Sequence, residues 1–390
     1  MNIWRYLKKE IVKRKIWNEI KSLKDKRGFL KAGLPLFNQL FARDALISAW
    51  QLLNYNPGIC QATLEILSRY QGKVFNQDRE EEPGKILHQF DFKITDPKKA
   101  RLVSYYYGSI DSTPLFLIIF SFYFEKTKDI KFLNRHWETI LKAVNWMEEN
   151  TRPFKDFFLR YEQKNPQGLF HQGWKDSKTN HLNIDPPVAL VEVQGYQYLA
   201  LVQIANLAKE KGDEELNKKL LQRADHLKRD FNEKFWMEDK NFYCLALNGK
   251  GDQRRAITSN PGHLLFTGIV NEDKIELVVN RLFQDDLYTH FGIRTHSCLE
   301  PDFNPRSYHL GSIWPHDNWI IAQGLKKIGK IEAYQKIKNA LFLVFKKLGY
   351  LPEFYGVIDG KITLEMEKPP SYPQAWSSAA LFNFLSDEIQ

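Results

Sequence analysis

The chain has 390 residues, 43% of them hydrophobic and 26% charged, with a formal net charge of +9. That apolar fraction supports a sizeable core and excludes intrinsic disorder, while the longest apolar run, Pro114–Phe124, is too short to cross a bilayer. The positive charge is local: residues 1–27 hold ten Lys or Arg against Glu10, Glu19 and Asp25, which is +7, so the remainder is near neutral and neither a nucleic-acid nor a membrane partner is expected.

Helical periodicity dominates the pattern. In chain order it predicts helices near 3–22, 44–54, 59–70, 112–126, 130–149, 188–210, 213–235, 261–268, 273–283, 315–328, 331–348 and 374–387. Short turns alternate with long gaps. Helices that follow a short turn, such as 213–235 and 331–348, are amphipathic and charged on one side. Those that follow a long gap, such as 112–126 and 188–210, are apolar almost all round. Five of the second kind open on a proline (Pro114, Pro187, Pro261, Pro315, Pro373), which the first helical turn tolerates. Six inner and six outer helices in alternation make an (α/α)6 barrel, expected as one catalytic domain over residues 1–390. The basic helix 3–22 and the helix 374–387 pair to close it. The long loops then share one face, at the starts of the inner helices, and function is expected there.

Cys60, Cys244 and Cys298 are odd in number and far apart, which suits neither a disulfide framework nor a zinc site. The basic start runs into Ile16–Trp17–Asn18–Glu19 rather than an apolar stretch, so no secretory signal is read and a cytoplasmic location is expected. No GxGxxG, GxxxxGK[ST] or GxSxG motif is present, and His88, His309 and His316 lack a metal-ligand spacing such as HExxH. Neither a cofactor nor a metal is expected.

The polar motifs fall in or beside the long loops: FARDALISAW at 41–50, EEPGKILHQF at 81–90, YYGSIDSTPLF at 106–116, QGWKDS at 172–177, EVQGYQYLA at 192–200, YHLGSIWPHDN at 308–318, LPEFYG at 351–356 and YPQAW at 372–376. In this order they resemble the glucosidase domain of glycogen debranching enzymes (amylo-α-1,6-glucosidases), within the six-hairpin glycosidases, over residues 32–384. The resemblance implies a pocket for a terminal α-glucosyl residue, hydrolysed with inversion, with Asp176 as general acid and Glu353 as general base. An inverting glycosidase needs two such carboxyls, one protonating the leaving oxygen and one activating water on the opposite ring face, roughly 6.5–9.5 Å apart. Trp174, beside Asp176, helps keep the acid protonated by excluding water.

The resemblance also implies that Arg43 and Asp44 grip hydroxyls at the closed end of the pocket, through charge-assisted hydrogen bonds. Asp44 also stands where a helix N-cap belongs, and Asp317 shares that ambiguity. Tyr107 and Trp314 are candidate sugar platforms, and Glu192 and Gln194 candidate hydroxyl partners. Asp111, His309, His316 and Trp376, in the same motifs, complete the expected substrate contacts. Departures from the family pattern are Phe41–Ala42 before Arg43, Gln89 after His88, His171 in place of an asparagine, and the missing β-sandwich that often precedes the barrel. They bear on the substrate more than on the reaction. An oligosaccharide or glucoside is therefore the expected substrate, with glucose released by exo-action from α-1,6-branched or short α-gluco-oligosaccharides. The alternatives are a neutral-invertase-like sucrose hydrolase, which YGSIDS and LPEFY also resemble, an inverting phosphorylase, and a non-catalytic sugar-binding barrel.

Overall fold

A computed structural model describes residues 3–92 and 105–387. Among them eleven α-helices form: Ile3–Leu23 (α1), Ala42–Leu52 (α2), Pro57–Arg69 (α3), Ser112–Thr127 (α4), Ile130–Thr151 (α5), Val191–Glu210 (α6), Glu214–Lys234 (α7), Glu272–Leu282 (α8), Pro315–Lys327 (α9), Ile331–Leu348 (α10) and Ala375–Ser386 (α11). The segment expected as a helix over 261–268 is instead a 3-10 helix, Asn260–Phe266, which takes the twelfth position. It packs unusually close to α9. A Cβ on Gly262 would come within 2.7 Å of Ile321, and one on Gly324 within 2.7 Å of Leu265, so the two glycines permit a backbone approach that a side chain would block.

The turns between paired helices explain themselves from sequence. Lys128 ends α4 in the left-handed conformation, and Asp129 then caps α5 by accepting from the Phe132 N–H at 2.9 Å. Gly212, with φ of +77°, and Asp213, accepting from Leu216, do the same between α6 and α7. Once paired, the helices sort by face. In α7 the buried positions Leu220, Ala224, Leu227 and Phe231 repeat every three or four residues, as one-sided burial requires. In α4, Ser112–Ser121 is buried without interruption.

The inner helices close a ring: α2 packs on α4, α4 on α6, α6 on the 3-10 helix, the 3-10 helix on α9, α9 on α11, and α11 back on α2. Outside them lie α3, α5, α7, α8 and α10, each against the inner helix that precedes or follows it, and α1 packs on α11 as expected of the closing pair. Helix α1 buries Ile16, Ile20 and Leu23, while its Glu19 accepts from Tyr372 and Ser378. The basic Lys15 also ties this helix down, donating to the Gly349 carbonyl at 2.6 Å. No described helix is long and apolar enough to cross a membrane.

The long loops hold short strands that periodicity does not announce. Leu40–Phe41 pairs antiparallel with Gln89–Phe90, and Ala189–Leu190 with Ala246–Leu247, which continues to Gln253–Arg254. The first strand of each sheet runs straight into an inner helix. As a result α2 and α6 start from extended residues (Phe41, Leu190) whose side chains make no cap bond, and α9 and α11 do the same from Trp314 and Gln374. Asp44 is therefore the third residue of α2 and not its N-cap. Of the five prolines, Pro315 opens α9 and Pro261 lies in the first turn of the 3-10 helix, whereas Pro114 is the third residue of α4. Pro187 and Pro373 precede their helices, because the strand or extended segment intervenes.

Candidate active site

A cavity of about 190 Å3 opens where the inner helices begin. The first turn of α2 contributes Arg43 and Asp44, the 169–177 loop contributes Trp174 and Asp176, and the loop before α9 contributes Tyr308 and Trp314. Glu353 comes from the segment after α10, Lys368 from the loop that follows, and Trp376 from the first turn of α11.

Arg43 organises one wall. It is buried, and its Nε and Nη2 donate to the two oxygens of Asp111 at 2.6 and 3.0 Å, a bidentate pair on a fully buried carboxylate. Its Nη1 reaches Asp176 Oδ2 at 3.2 Å, and the Asp176 side chain keeps 27% of its surface exposed. The loop beneath is fastened by a bridge between His171 and Ser177 and by Lys175, whose Nζ donates to the Thr295 carbonyl at 2.6 Å. Burial raises the Asp176 carboxyl above the usual carboxylate range; Arg43 opposes this and Asp111 weakens the opposition.

Glu353 also lines the cavity and is buried, so the expectation of a carboxylate in a long loop must be refined: the loop is folded over it. Its Oε1 accepts from the Tyr308 hydroxyl at 2.8 Å and its Oε2 from the Ser371 N–H at 2.9 Å. Burial raises this carboxyl too, the two hydrogen bonds lower it, and the charge of Asp176 adds to the rise. Asp44 accepts from Gln374 Nε2 at 3.2 Å and is pushed well up, by burial first; Arg43 opposes the push, and Asp176 and Glu353 add to it. Three carboxyls thus share one small cavity and feel one another.

Aromatic rings frame the rest. Trp314 is held by its indole N–H, which donates to the Tyr308 carbonyl at 2.9 Å, and it stacks on Phe354. Trp376 stacks on His316 at 3.7 Å between centroids, and His309 lies nearly parallel to Trp314 at 5.3 Å. His309 and His316 are therefore braces behind the two tryptophans rather than substrate contacts, and burial holds both well below the usual histidine range, hence neutral.

Other expected contacts also fall behind the wall. The Tyr107 hydroxyl donates to the Tyr70 carbonyl, away from the cavity. Asp111 spends both oxygens on Arg43, so it positions the arginine and does not meet a sugar. Gln194 is consumed by the Leu159 N–H and the carbonyls of Leu159 and Leu190. Asp317 Oδ1 accepts from His263, whose other ring nitrogen bonds Tyr196, deep in the barrel. Glu192 is fully buried and does not line the cavity either. The common reason is depth: residues in the first turn of a buried helix point either up into the cavity or inward, and motif position alone does not separate the two.

Sequence reasoning missed Tyr308 and Lys368, and it considered His88 only as a metal ligand and set that aside, yet His88 lines the cavity. Phe37 and Phe41 form its lip, edge to face at 5.6 Å. Its place in the same YHLGSIWP motif as Trp314 was the available signal for Tyr308; Lys368 had none. Among the described residues, His296, Glu300 and Asp302 are the one trio close enough to share a metal ion. They are already bound: His296 to Asp302 at 2.8 Å, Asp302 to Arg254 at 2.7 Å, and Glu300 to the Ile257 N–H at 2.9 Å.

Residues 135–362, more than half of the chain, match the model of the mannosylglycerate hydrolase MGH1-like glycoside hydrolase domain. The chain belongs to this family. A curated relative, mannosylglycerate hydrolase MGH1 of Selaginella moellendorffii, is 29% identical over 98 residues, which are 25% of this chain and 20% of that protein. The match thus spans about a fifth of the relative's length. The solved GH63 mannosylglycerate hydrolase of Thermus thermophilus in complex with Tris superposes with a TM-score of 0.76 at 13% identity, covering 96% of this chain and 100% of that one. The same enzyme in complex with Tris and D-glycerate gives 0.73 at 14%, over 96% and 100%. These likenesses establish the (α/α)6 barrel, and the family establishes a glycoside hydrolase. The family is the MGH1-like one, however, and not specifically that of the debranching glucosidases which the motifs resemble.

Proposed function

We propose that this glycoside hydrolase is exo-acting and inverting, with Asp176 as general acid and Glu353 as general base, and that it releases one α-linked hexose from a small anionic aglycone of the glycerate type. The observation that carries the reading is the shared cavity. One carboxyl, held by an arginine that Asp111 already pairs, and a second, held by two hydrogen-bond donors, line it from different loops, and both are raised above the usual range. Two carboxyls in one cavity, one with an exposed edge and one offered two hydrogen-bond donors for its charged form, suit a proton donor and a proton acceptor. In the reaction Asp176 gives its proton to the glycosidic oxygen as the C–O bond breaks. Glu353 takes a proton from the water whose oxygen bonds to the anomeric carbon. Solvent then returns each carboxyl to its starting state.

The cavity is smaller than the roughly 300–1,000 Å3 of pockets for drug-sized ligands, which suits a single sugar ring. The acid must touch the leaving oxygen, so the aglycone lies beside Asp176. Lys368 acts electrostatically on Asp176, and its ammonium stands 4.4 Å over the Tyr308 ring at the rim. A cation on the leaving-group side favours a carboxylate-bearing aglycone, in keeping with the family's name and with the D-glycerate bound to the Thermus thermophilus enzyme. The sequence motifs favour a second substrate, terminal glucose on α-1,6-branched or short α-gluco-oligosaccharides.

The deciding experiment is a hydrolysis panel of α-mannosylglycerate, α-glucosylglycerate, isomaltose, panose, maltotriose and sucrose, with the first anomer read by proton NMR before mutarotation. The expected result is preference for a glycerate conjugate, β-hexose appearing first, and a raised KM for that substrate alone in Lys368→Ala. Fast release from panose with no action on the conjugates overturns the substrate. α-Hexose appearing first overturns the mechanism.

A further inference from the structure

The opposite end of the barrel carries a second concavity that shares no lining residue with the catalytic one. It measures about 590 Å3 and sits where the inner helices finish. Its base is aromatic. Trp50, near the end of α2, packs against Trp319 at 4.8 Å, Phe266 at 5.0 Å and Phe122 at 5.5 Å between centroids, and so presents a braced, partly exposed indole. Trp319 is itself fixed by its indole N–H donating to Asn383 Oδ1 at 3.0 Å.

Amides surround these rings. Gln203 is oriented by the Ser121 hydroxyl, which donates to its Oε1 at 2.9 Å. Asn54 stands at the rim, and Gln323 Nε2 is a buried donor with no partner among the described residues. Buried donors in native proteins almost always have a partner, and leaving one unmet costs more than a made bond contributes net. The charges nearby largely cancel. Glu125 interacts with Lys327, whose ammonium is already bonded to the Phe266 carbonyl at 2.6 Å, and the inner helices point their negative ends this way. An anion is opposed by Glu125 and the helix ends, and a cation by Lys126 and Lys327. Flat rings for stacking, neutral amides for hydroxyls and little net field suit a neutral polyhydroxylated ring.

We propose that this basin is a second, non-catalytic binding site for a neutral sugar. It draws on inner helices that also shape the active site: α2 carries Asp44 at one end and Trp50 nearly two turns on, about 9 Å along the axis. A sugar bound at Trp50 therefore occupies a site separate from hydrolysis.

The test is ligand-observed saturation-transfer NMR and calorimetry on the full chain with methyl α-D-glucopyranoside and methyl α-D-mannopyranoside. Wild type is compared with Asp44→Ala, which weakens the catalytic pocket, and with Gln323→Leu and Trp50→Leu. The expected result is a sugar signal that survives Asp44→Ala and weakens roughly tenfold in Gln323→Leu, the loss of one or two neutral hydrogen bonds. Gln323→Leu keeps wild-type initial rates. Should Trp50→Leu misfold, Gln323→Leu with Asn54→Ala carries the comparison. A signal unchanged by the basin variants overturns the site. So does a concentration-dependent doubling of mass that Gln323→Leu abolishes, since the basin would then be a contact between copies.

Discussion

Asp111→Asn separates the electrostatic part of the mechanism from its scaffolding. Asp111 does not line the cavity, but it neutralises the guanidinium that also holds the proposed acid, Asp176. Removing its charge leaves Arg43 free to stabilise the ionised form of Asp176. With the two carboxyls roughly 6 Å apart across the guanidinium and an effective dielectric of about 20, their repulsion is worth about 2–3 kcal/mol, or about two pH units. Asp176 is partly exposed, and screening reduces this to about one unit.

The sign is fixed by the role. An acid must be protonated, so lowering its pKa moves the alkaline limb of the kcat/KM profile to lower pH, by about one unit. The assay is kcat/KM against pH for both proteins on the best substrate of the panel, with circular dichroism to confirm folding. Some stability is lost as well, because opening a buried ion pair from one side costs about 3–5 kcal/mol and asparagine restores only part of it. An alkaline limb that stays in place while the plateau falls refutes the reasoning. Arg43 would then serve geometry alone, or Asp176 would not be the acid.

Asp176→Asn and Glu353→Gln each lower kcat by about 10²–10⁴-fold with the fold retained, measured by steady-state kinetics and thermal melting. Tyr308→Phe removes a hydrogen bond to the charged form of Glu353, so that carboxyl rises further and the acidic limb of the profile moves up, by about one pH unit. Asp44→Asn loses kcat/KM yet melts no lower than wild type at pH 7 and above. A carboxyl raised by burial contributes stability only below its unfolded pKa and loses it as pH rises through the folded one, so the advantage of asparagine shrinks toward low pH. Melting curves between pH 4 and 8 check it.

The ring of helices was legible because burial on one side or on all sides leaves opposite signatures in α7 and α4, and because Lys128–Asp129 and Gly212–Asp213 are turns that local chemistry dictates. What stayed hidden was set by contacts remote in sequence. The 3-10 helix packs on α9 through the close approach permitted by Gly262 and Gly324, which lie on separate elements of the ring. The start of α2 follows from Phe41 pairing with Gln89 across the chain, which displaces Asp44 from the cap. In the cavity, the lining positions of Asp176 and Glu353 were readable from motifs, as were those of Arg43, Trp174, Trp314 and Trp376. Depth was not readable. Glu192 and Asp317 occupy first turns just as Asp44 does, yet both lie inside the barrel. Lys368 reaches the cavity from an irregular loop, where no periodicity fixes a direction.

The electrostatics of the cavity reduce to a contest over three carboxyls. Each inner helix that starts there carries roughly half a positive charge at its N-terminus, which favours an ionised Asp44 in the first turn of α2. Burial and mutual repulsion oppose ionisation, and they win, since Asp44, Asp176 and Glu353 are all raised. The three are not raised by equivalent surroundings. Glu353 has two donors aimed at its charged form, from Tyr308 and the Ser371 N–H, so it is the best provided to hold a negative charge and to act as a base. Asp176 has a single contact at 3.2 Å, with an arginine already claimed by Asp111, and an exposed edge through which a proton can be replaced after turnover. Asp44 has one neutral amide and the strongest upward push, which suits a carboxyl that donates to a sugar hydroxyl as readily as it accepts. In the proposed mechanism the donor and acceptor roles follow how many hydrogen bonds each anion is offered, rather than the residue types themselves.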